Sequence, residues 1–429
     1  MSIDSLTPAR TAAMPQQTIR PGTGTARRAQ SKPSRRGVGV GLILTVTTGT
    51  QLRAAGPFGL GEMMLLAWLG LSMYQMSRTP AVKGAPLPIV RFWTIVTPVL
   101  MVGPLWSGAI RKGSTTAPRD ALALALMALL CFVAAVHLST DERERIVLAY
   151  SVATTCVFVA LYVVPQLARI FGANPYYSTR FVGWALNPNQ VAIDIVWVPF
   201  MLLRAANRRA GWQRIALRLI TLGALFIGWV CDSDSLRLGW GFALFVLGIR
   251  SVFAAERSVL ARQLATAVMA VMLGLGALKA PSVLKVGGSY IDSLRFQQNT
   301  SDGGGRGRLQ RHAIMAWTYS PIIGLGPGLF SGLGHPFTNE EAHNSTLDFL
   351  MKAGAVGVVS LVILCRKTWK KAVADGWASI AAFSALIMFT TGHNVLRHPA
   401  PWILITLISS FPDKIPTHRT SDASAWVGR

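Results

Sequence analysis

Charged side chains are scarce in this chain. Only 14% of its 429 residues are Asp, Glu, Lys or Arg, where a soluble domain carries about 25%. That scarcity excludes an ordinary water-soluble domain. Most apolar runs also lack the 3.6-residue polar–apolar stripe that a surface helix would show. Cysteine is scarce too. Cys131, Cys156, Cys231 and Cys365 fall within or at the ends of apolar runs, and none has a CxxC neighbour. They read as small buried hydrophobes rather than disulfide or metal partners. No GxxxxGKS or GxxxxGKT phosphate loop is present, which removes the usual signature of a nucleotide site. No internal repeat of the kind that builds many transporters is visible. No convincing cleavage site follows the basic N-terminus, so the first span is expected to stay in place.

What remains is hydrophobic. Apolar residues make up 51% of the chain and mean hydropathy is +0.42. Apolar runs of about 17 to 22 residues recur from residue 38 to residue 411, each long enough to cross the hydrocarbon of a bilayer as a helix. The expected fold is an all-α polytopic membrane protein with about 12 transmembrane helices and one large extracytoplasmic loop. The expected organisation is a disordered basic cytoplasmic tail (1–37), a transmembrane domain (38–411) and a second cytoplasmic tail (412–429). Expected spans include 189–204, 262–280, 345–365, 376–393 and 399–411, with the large loop at about 281–344.

The net charge of +24 would suit nucleic acid if the basic residues were clustered. Instead most lie in short segments between spans, the positive-inside pattern. No nucleic-acid partner is expected. Counted this way, both termini are expected in the cytoplasm, and the expected location is the cytoplasmic (inner) membrane. The first 36 residues carry seven basic side chains against Asp4, a composition that stays disordered and touches anionic lipid.

The arginines that break the positive-inside rule are the informative ones. Arg169, Arg180, Arg237, Arg295, Arg306, Arg308 and Arg311 fall in segments expected outside. An anionic ligand explains guanidinium groups there better than topology does. Three segments carry them. In the first, Arg180 precedes Asn187-Pro188-Asn189-Gln190, where Asn187 reads as a helix cap and Pro188 as the first helical residue. In the second, Ser233-Asp234-Ser235-Leu236-Arg237, the arginine either snorkels at a span end or meets a phosphate.

The third is the large loop. Gly303 to Arg308 reads as a flexible basic hairpin, and Pro321 to Phe330 as a turn-rich tract. His343-Asn344 follows the acidic pair Glu340-Glu341 and opens a hydrophobic run. A lone histidine is more often structural than catalytic. Polar groups beside a span are costly, however, and a histidine among arginines at that boundary is a candidate base. Asp348 and Lys352, four apart, can neutralise each other on one helix face.

In order along the chain stand Arg-x-x-Gly…Asn-Pro-Asn, Ser-x-Arg, a loop with Arg, Pro-x-x-Gly-x-Gly-x-Gly-x-Phe, and Ala-His-Asn-x-x-Leu-x-x-Leu-x-x-x-Gly. This order, over residues 175–365, resembles the O-antigen ligase and O-antigen (exopolysaccharide) polymerase superfamily of membrane glycosyltransferases. Ala342-His343-Asn344 through Gly354 is its most specific part. The resemblance implies transfer of a glycan from a polyprenyl-diphosphate carrier to a glycan or glycolipid acceptor on the outer face, with no cofactor and no metal. It implies that Arg237 and either Arg306 or Arg308 hold the diphosphate, and that His343 acts on the acceptor hydroxyl. Arg180, Asn189, Asn344 and Arg311 are further site candidates. Two positions depart from the family pattern. Gln310 or His312 stands where a tryptophan usually follows the loop arginine, and Lys352 stands where an acidic residue is commoner. The competing readings are a secondary transporter or lipid-glycan flippase, and a membrane scaffold binding anionic lipid.

Overall fold

The computed structural model describes residues 36–55, 58–78, 87–107, 116–253, 263, 305–328 and 341–412. Nearly all of the expected N-terminal tail, the expected span at 262–280, much of the large loop including Gly303, Gly304 and Glu340, and the C-terminal tail lie outside these residues.

The described chain is helical apart from two short antiparallel hairpins. The helices are α1 (Arg36–Thr47), α2 (Leu60–Arg78), α3 (Pro88–Ser107), α4 (Thr116–Val136), α5 (Thr140–Val163), α6 (Gln166–Ile170), α7 (Pro188–Ile195) and α8 (Val198–Asn207). They continue with α9 (Gly211–Val230), α10 (Asp234–Phe253), α11 (Gly305–Thr318), α12 (Ser345–Asp375), α13 (Trp377–Thr390) and α14 (Pro399–Ser409). In one hairpin β1 (Arg53–Ala55) pairs with β2 (Phe58–Gly59); in the other Tyr176 faces Phe181 and Tyr177 faces Arg180. Among the described residues, six helical stretches are long and apolar enough to cross a membrane: Ala117–Val136, Thr140–Val163, Pro188–Asn207, Gly211–Val230, Asp234–Val252 and Ser345–Asp375. Four shorter apolar helices accompany them. These stretches support a multi-pass membrane protein.

Local chemistry sets the helix ends. Ser139 and Glu142 form a reciprocal capping box at the start of α5, which satisfies donors that the first turn leaves open. Arg143 turns back to the carbonyls of Ala134, Ala135 and Leu138 at 2.7, 2.8 and 2.5 Å. It thereby covers acceptors at the end of α4 that have no helical partner. Close packing uses small residues. Gly37 and Gly41 put the α1 backbone so near α5 that a methyl group at Gly41 would lie 2.7 Å from Ala149 Cβ. Thr45, one turn further, meets Thr154 at 3.2 Å. With lipid as solvent, such close backbone approach and interhelical hydrogen bonds drive association.

The span expected at 189–204 is present as Pro188–Asn207, with a joint inside it. Trp197 separates α7 from α8 beside Pro199, and Trp240 donates to the Val196 carbonyl at the joint, 2.8 Å. The Gly303–Arg308 stretch is not a hairpin over its described part, because Gly305 already begins α11. Leu309, Ala313 and Ala316 recur at helical spacing and are buried, the two alanines packing with Ala342 and Met351. That apolar face, lying just past the glycines, outweighs their low helix propensity.

The turn-rich tract is the main structural surprise. Helix α12 is interrupted at Gly354 (φ 61°, ψ −161°), and the segment 321–326 docks into the break. Leu325 and Gly326 donate to the carbonyls of Met351 and Lys352 at 2.8 and 2.9 Å. Ala355 and Val356 donate to Pro321 and Ile322 at 2.9 and 3.1 Å. Backbone groups released by the break are thus paired within protein, as they must be where no water is at hand. Gly324 (φ 71°) is required here, because a Cβ would sit 2.5 Å from the amides of Ala353 and Gly354.

Candidate functional site

The two motifs placed farthest apart by the resemblance meet at one polar pocket of about 370 Å3. Asn187, Asn189 and Gln190 from the start of α7 form one wall; Glu341 and His343 before α12 form another. The third wall is the segment between α13 and α14, which supplies His393, Asn394, Arg397 and His398.

The first wall is fixed by capping. The Asn187 side chain accepts from the Gln190 amide at 3.1 Å, with Pro188 at the first helical position, as expected. Gln190 accepts from Thr50 Oγ1 at 2.6 Å, and Asn189 accepts from Ser233 Oγ at 3.0 Å. Asn344 plays the matching role for α12: its Oδ1 accepts from the amides of Thr346 and Leu347, 3.0 and 3.1 Å. That cap fixes where His343 stands. His343 itself has φ 49°, a left-handed conformation uncommon for a residue with a side chain. Its ring lies edge-on to His393 with centroids 5.6 Å apart, and His393 stacks on Phe389. Ser345 Oγ ties the walls together, donating to the His393 carbonyl at 2.7 Å and accepting from the Val395 amide at 3.0 Å.

Beneath the pocket lies a buried charge cluster. Lys352 Nζ is 2.8 Å from Asp348 Oδ2 and 2.9 Å from Asp120 Oδ2, all three side chains being fully buried. The Asp348–Lys352 pair was expected; Asp120, from the start of α4, was not. Asp120 also accepts from the Gly328 amide at 3.0 Å, and Asn394 donates to Asp348 at 3.0 Å. Arg397 stands at the top of the cluster, 3.4 Å from Asp120 Oδ1, and forms an ion pair with Glu341. Desolvation and the Arg397 cation beside it push the His398 imidazole down to about 4, so it is neutral near pH 7.

A neighbouring cavity borders the same residues. A second, mainly apolar cavity of about 450 Å3, lined by Leu65 and Leu66 of α2 and Leu122, Leu126 and Met127 of α4, shares Gln190, Arg397 and His398 with it. Its rim carries Arg119 and Glu62. An apolar groove that meets a polar pocket at an arginine suits an amphiphile with an anionic head.

The other expected arginines gather elsewhere. Arg180 donates to the carbonyl of Asp232, and Arg237 pairs with the Asp232 carboxylate and with Asp234 at 3.5 Å. Asp232 is the turn between α9 and α10, one residue from Ser233, which bonds Asn189 in the pocket wall. Arg311 is half-buried on α11. Arg306 and Arg308 sit on the first turn of that helix, and their side chains lie outside the described detail. Among the described residues no cluster of three or more His, Cys, Asp or Glu is arranged to hold a metal.

Sequence reasoning missed Arg397, His393, Asn394 and Asp120 as members of the site. The signal was present for three of them. Gly392-His393-Asn394-Val395-Leu396-Arg397-His398-Pro399 is a polar interruption between two apolar runs. The chain matches no protein-family model and no curated protein.

Proposed function

We propose that this protein is a membrane glycosyltransferase of O-antigen or exopolysaccharide polymerisation or ligation. It moves a glycan from a polyprenyl-diphosphate carrier to an acceptor sugar at the outer face of the cytoplasmic membrane. The fuller architecture proposed with it has twelve spans, both termini in the cytoplasm and the His343 pocket at the outer end. One observation carries the reading: the polar pocket holding His343 and a mainly apolar cavity share Gln190, Arg397 and His398 in their walls. A lipid-linked diphosphate is an amphiphile of that shape, with its sugar directed to the polar side.

The chemistry balances simply. The acceptor hydroxyl oxygen bonds to the anomeric carbon, the bond from that carbon to the diphosphate breaks, and the electron pair leaves with the phosphate. His343 takes the hydroxyl proton. Guanidinium groups stabilise the charge that grows on the leaving diphosphate, more strongly in the transition state than before it. Arg397 is the nearest candidate, with Arg180 and Arg237 around Asp232 as a second arginine group. Attack opposite the leaving group inverts the anomeric centre; a product of retained configuration would count against this mechanism.

One feature favours a second reading. Helix α12 is discontinuous beside a buried lysine and two buried aspartates, as in transporters that bind cargo at broken helices. Cells carrying His343→Ala separate the two. The transferase reading expects shortened or missing polysaccharide with lipid-linked units accumulating at the outer face. A flippase expects them to accumulate at the cytoplasmic face, and normal glycan with stable His343→Ala protein would sink the transferase.

A further inference from the structure

We propose that Arg397 is the anchor for the ligand's phosphate oxyanion and that Glu341 is the intramolecular anion competing with it for the same guanidinium. This rests on the pocket being the donor site and adds how that site is filled. The geometry favours Arg397 over other arginines. It lines both cavities at their junction, so a head held there leaves an attached chain facing the groove. Its side chain keeps 30% of its exposure, whereas Asp120 beneath it has none. Arg397 is therefore pinned from below and presented from above.

Glu341 is the group presented to it. Its carboxylate pairs with Arg397 from the pocket side at 18% exposure. A carboxylate and a phosphate make the same charge-assisted contact with a guanidinium. Both cannot hold the outer side of Arg397 together. The charge balance argues the same way. Among the described residues, Asp120, Asp348 and Glu341 pair with Lys352 and Arg397, with Arg119 and Glu62 both lining the neighbouring cavity and His398 neutral. Removing Glu341 leaves two carboxylates for two cations, so the cluster stays paired when the glutamate gives way.

The exchange has a consequence for His343. Only Ala342 separates it from Glu341, and His343 is held at φ 49°, a strained state that persists only while its surroundings enforce it. Displacing Glu341 frees the segment that holds the histidine. Binding of the phosphate and placement of the base are then linked, and linkage is reciprocal.

The test is binding of geranylgeranyl diphosphate to the purified full-length protein in nanodiscs, with geranylgeraniol and inorganic diphosphate as the other two probes. Glu341→Gln should tighten the isoprenoid diphosphate by about tenfold, and Arg397→Lys should weaken it by about tenfold. Adding Arg397→Lys to Glu341→Gln should remove the gain. Geranylgeraniol affinity should not respond to Glu341→Gln. Inorganic diphosphate should show the same dependence at weaker absolute affinity; equal affinity would mean a free-phosphate site and overturn the lipid assignment. Unchanged or weaker binding by Glu341→Gln, while wild type binds and His343→Ala abolishes glycan in cells, overturns the competition and leaves the transferase intact. If wild type binds none of the probes, the donor site falls and the proposal with it. Glu341→Gln leaves Arg397 paired to Asp120, so its melting temperature should match wild type and validate the comparison.

Discussion

Two charge clusters sit towards opposite ends of α12, separated by roughly 35 to 40 Å of helix. At the Asp375 end, Arg204 reaches Asp375 at 2.6 Å and Glu144 at 2.7 Å, and Arg208 reaches the same two carboxylates at 2.9 Å. Two cations meet two anions there, Ser379 adds a hydrogen bond to Asp375, and the cluster ties α5, α8 and α12 together. At the other end Lys352 and Arg397 face Asp120, Asp348 and Glu341 beneath an open pocket. Balanced in charge, the first cluster works as a staple. The second carries one more carboxylate than cation and borders space for a ligand. Charge beside a membrane is costly in both places, but only one is placed to return that cost as binding.

The comparison breaks most sharply at Lys352. Lys352→Met leaves Asp120 and Asp348 buried without their shared cation, and removing one partner of such a group costs about 3 to 5 kcal/mol. The expected result is little folded protein. Asp375→Asn at the other end should lower the melting temperature by less, because Arg204 keeps Glu144 and Arg208 is half-exposed. Equal losses would erase the distinction between the buried lysine cluster and the half-exposed staple.

His343→Ala should leave the melting temperature near wild type while reducing glycan transfer by about 100-fold or more, the range for a lost proton acceptor. A large loss of stability with proportionate loss of transfer would make the histidine structural. Gly324→Ala probes the inserted tract. With φ 71° and backbone atoms 2.5 Å from the new methyl, it should cost about 1 to 3 kcal/mol, read as a lowered melting temperature. Arg237→Ala is expected to do least. Its partners Asp232 and Asp234 are solvent-exposed, so the change should fall within about 1 kcal/mol of stability. A 100-fold loss of transfer would make the Asp232 turn, rather than Arg397, the principal holder of the diphosphate.

Much of this was legible in local sequence. Asn187-Pro188 announced a helix start because a cap and a first-turn proline act within four residues. Asp348 and Lys352 announced their pairing by helical spacing. What could not be read was long-range. Asp120 joins Lys352 across 232 residues of chain, and no local pattern links them. The glycines of the 321–328 tract marked a turn, but their use as an insert in α12 depends on the close approach of Gly354. The glycine run before α11 misled because an apolar stripe beginning at Leu309 extends a helix through its first turn. Arg397 was visible only as one more basic residue in a short loop. Its place at the meeting of two cavities comes from the packing of α2, α4, α7 and α14.

The most direct measurement is transfer by purified protein in nanodiscs, given an isoprenoid-diphosphate-linked glycan and its acceptor, with release of isoprenoid diphosphate followed over time. The account predicts release coupled one-to-one to acceptor extension, strongly reduced by Arg397→Lys and lost in His343→Ala. Wild-type rates in both folded variants would contradict it.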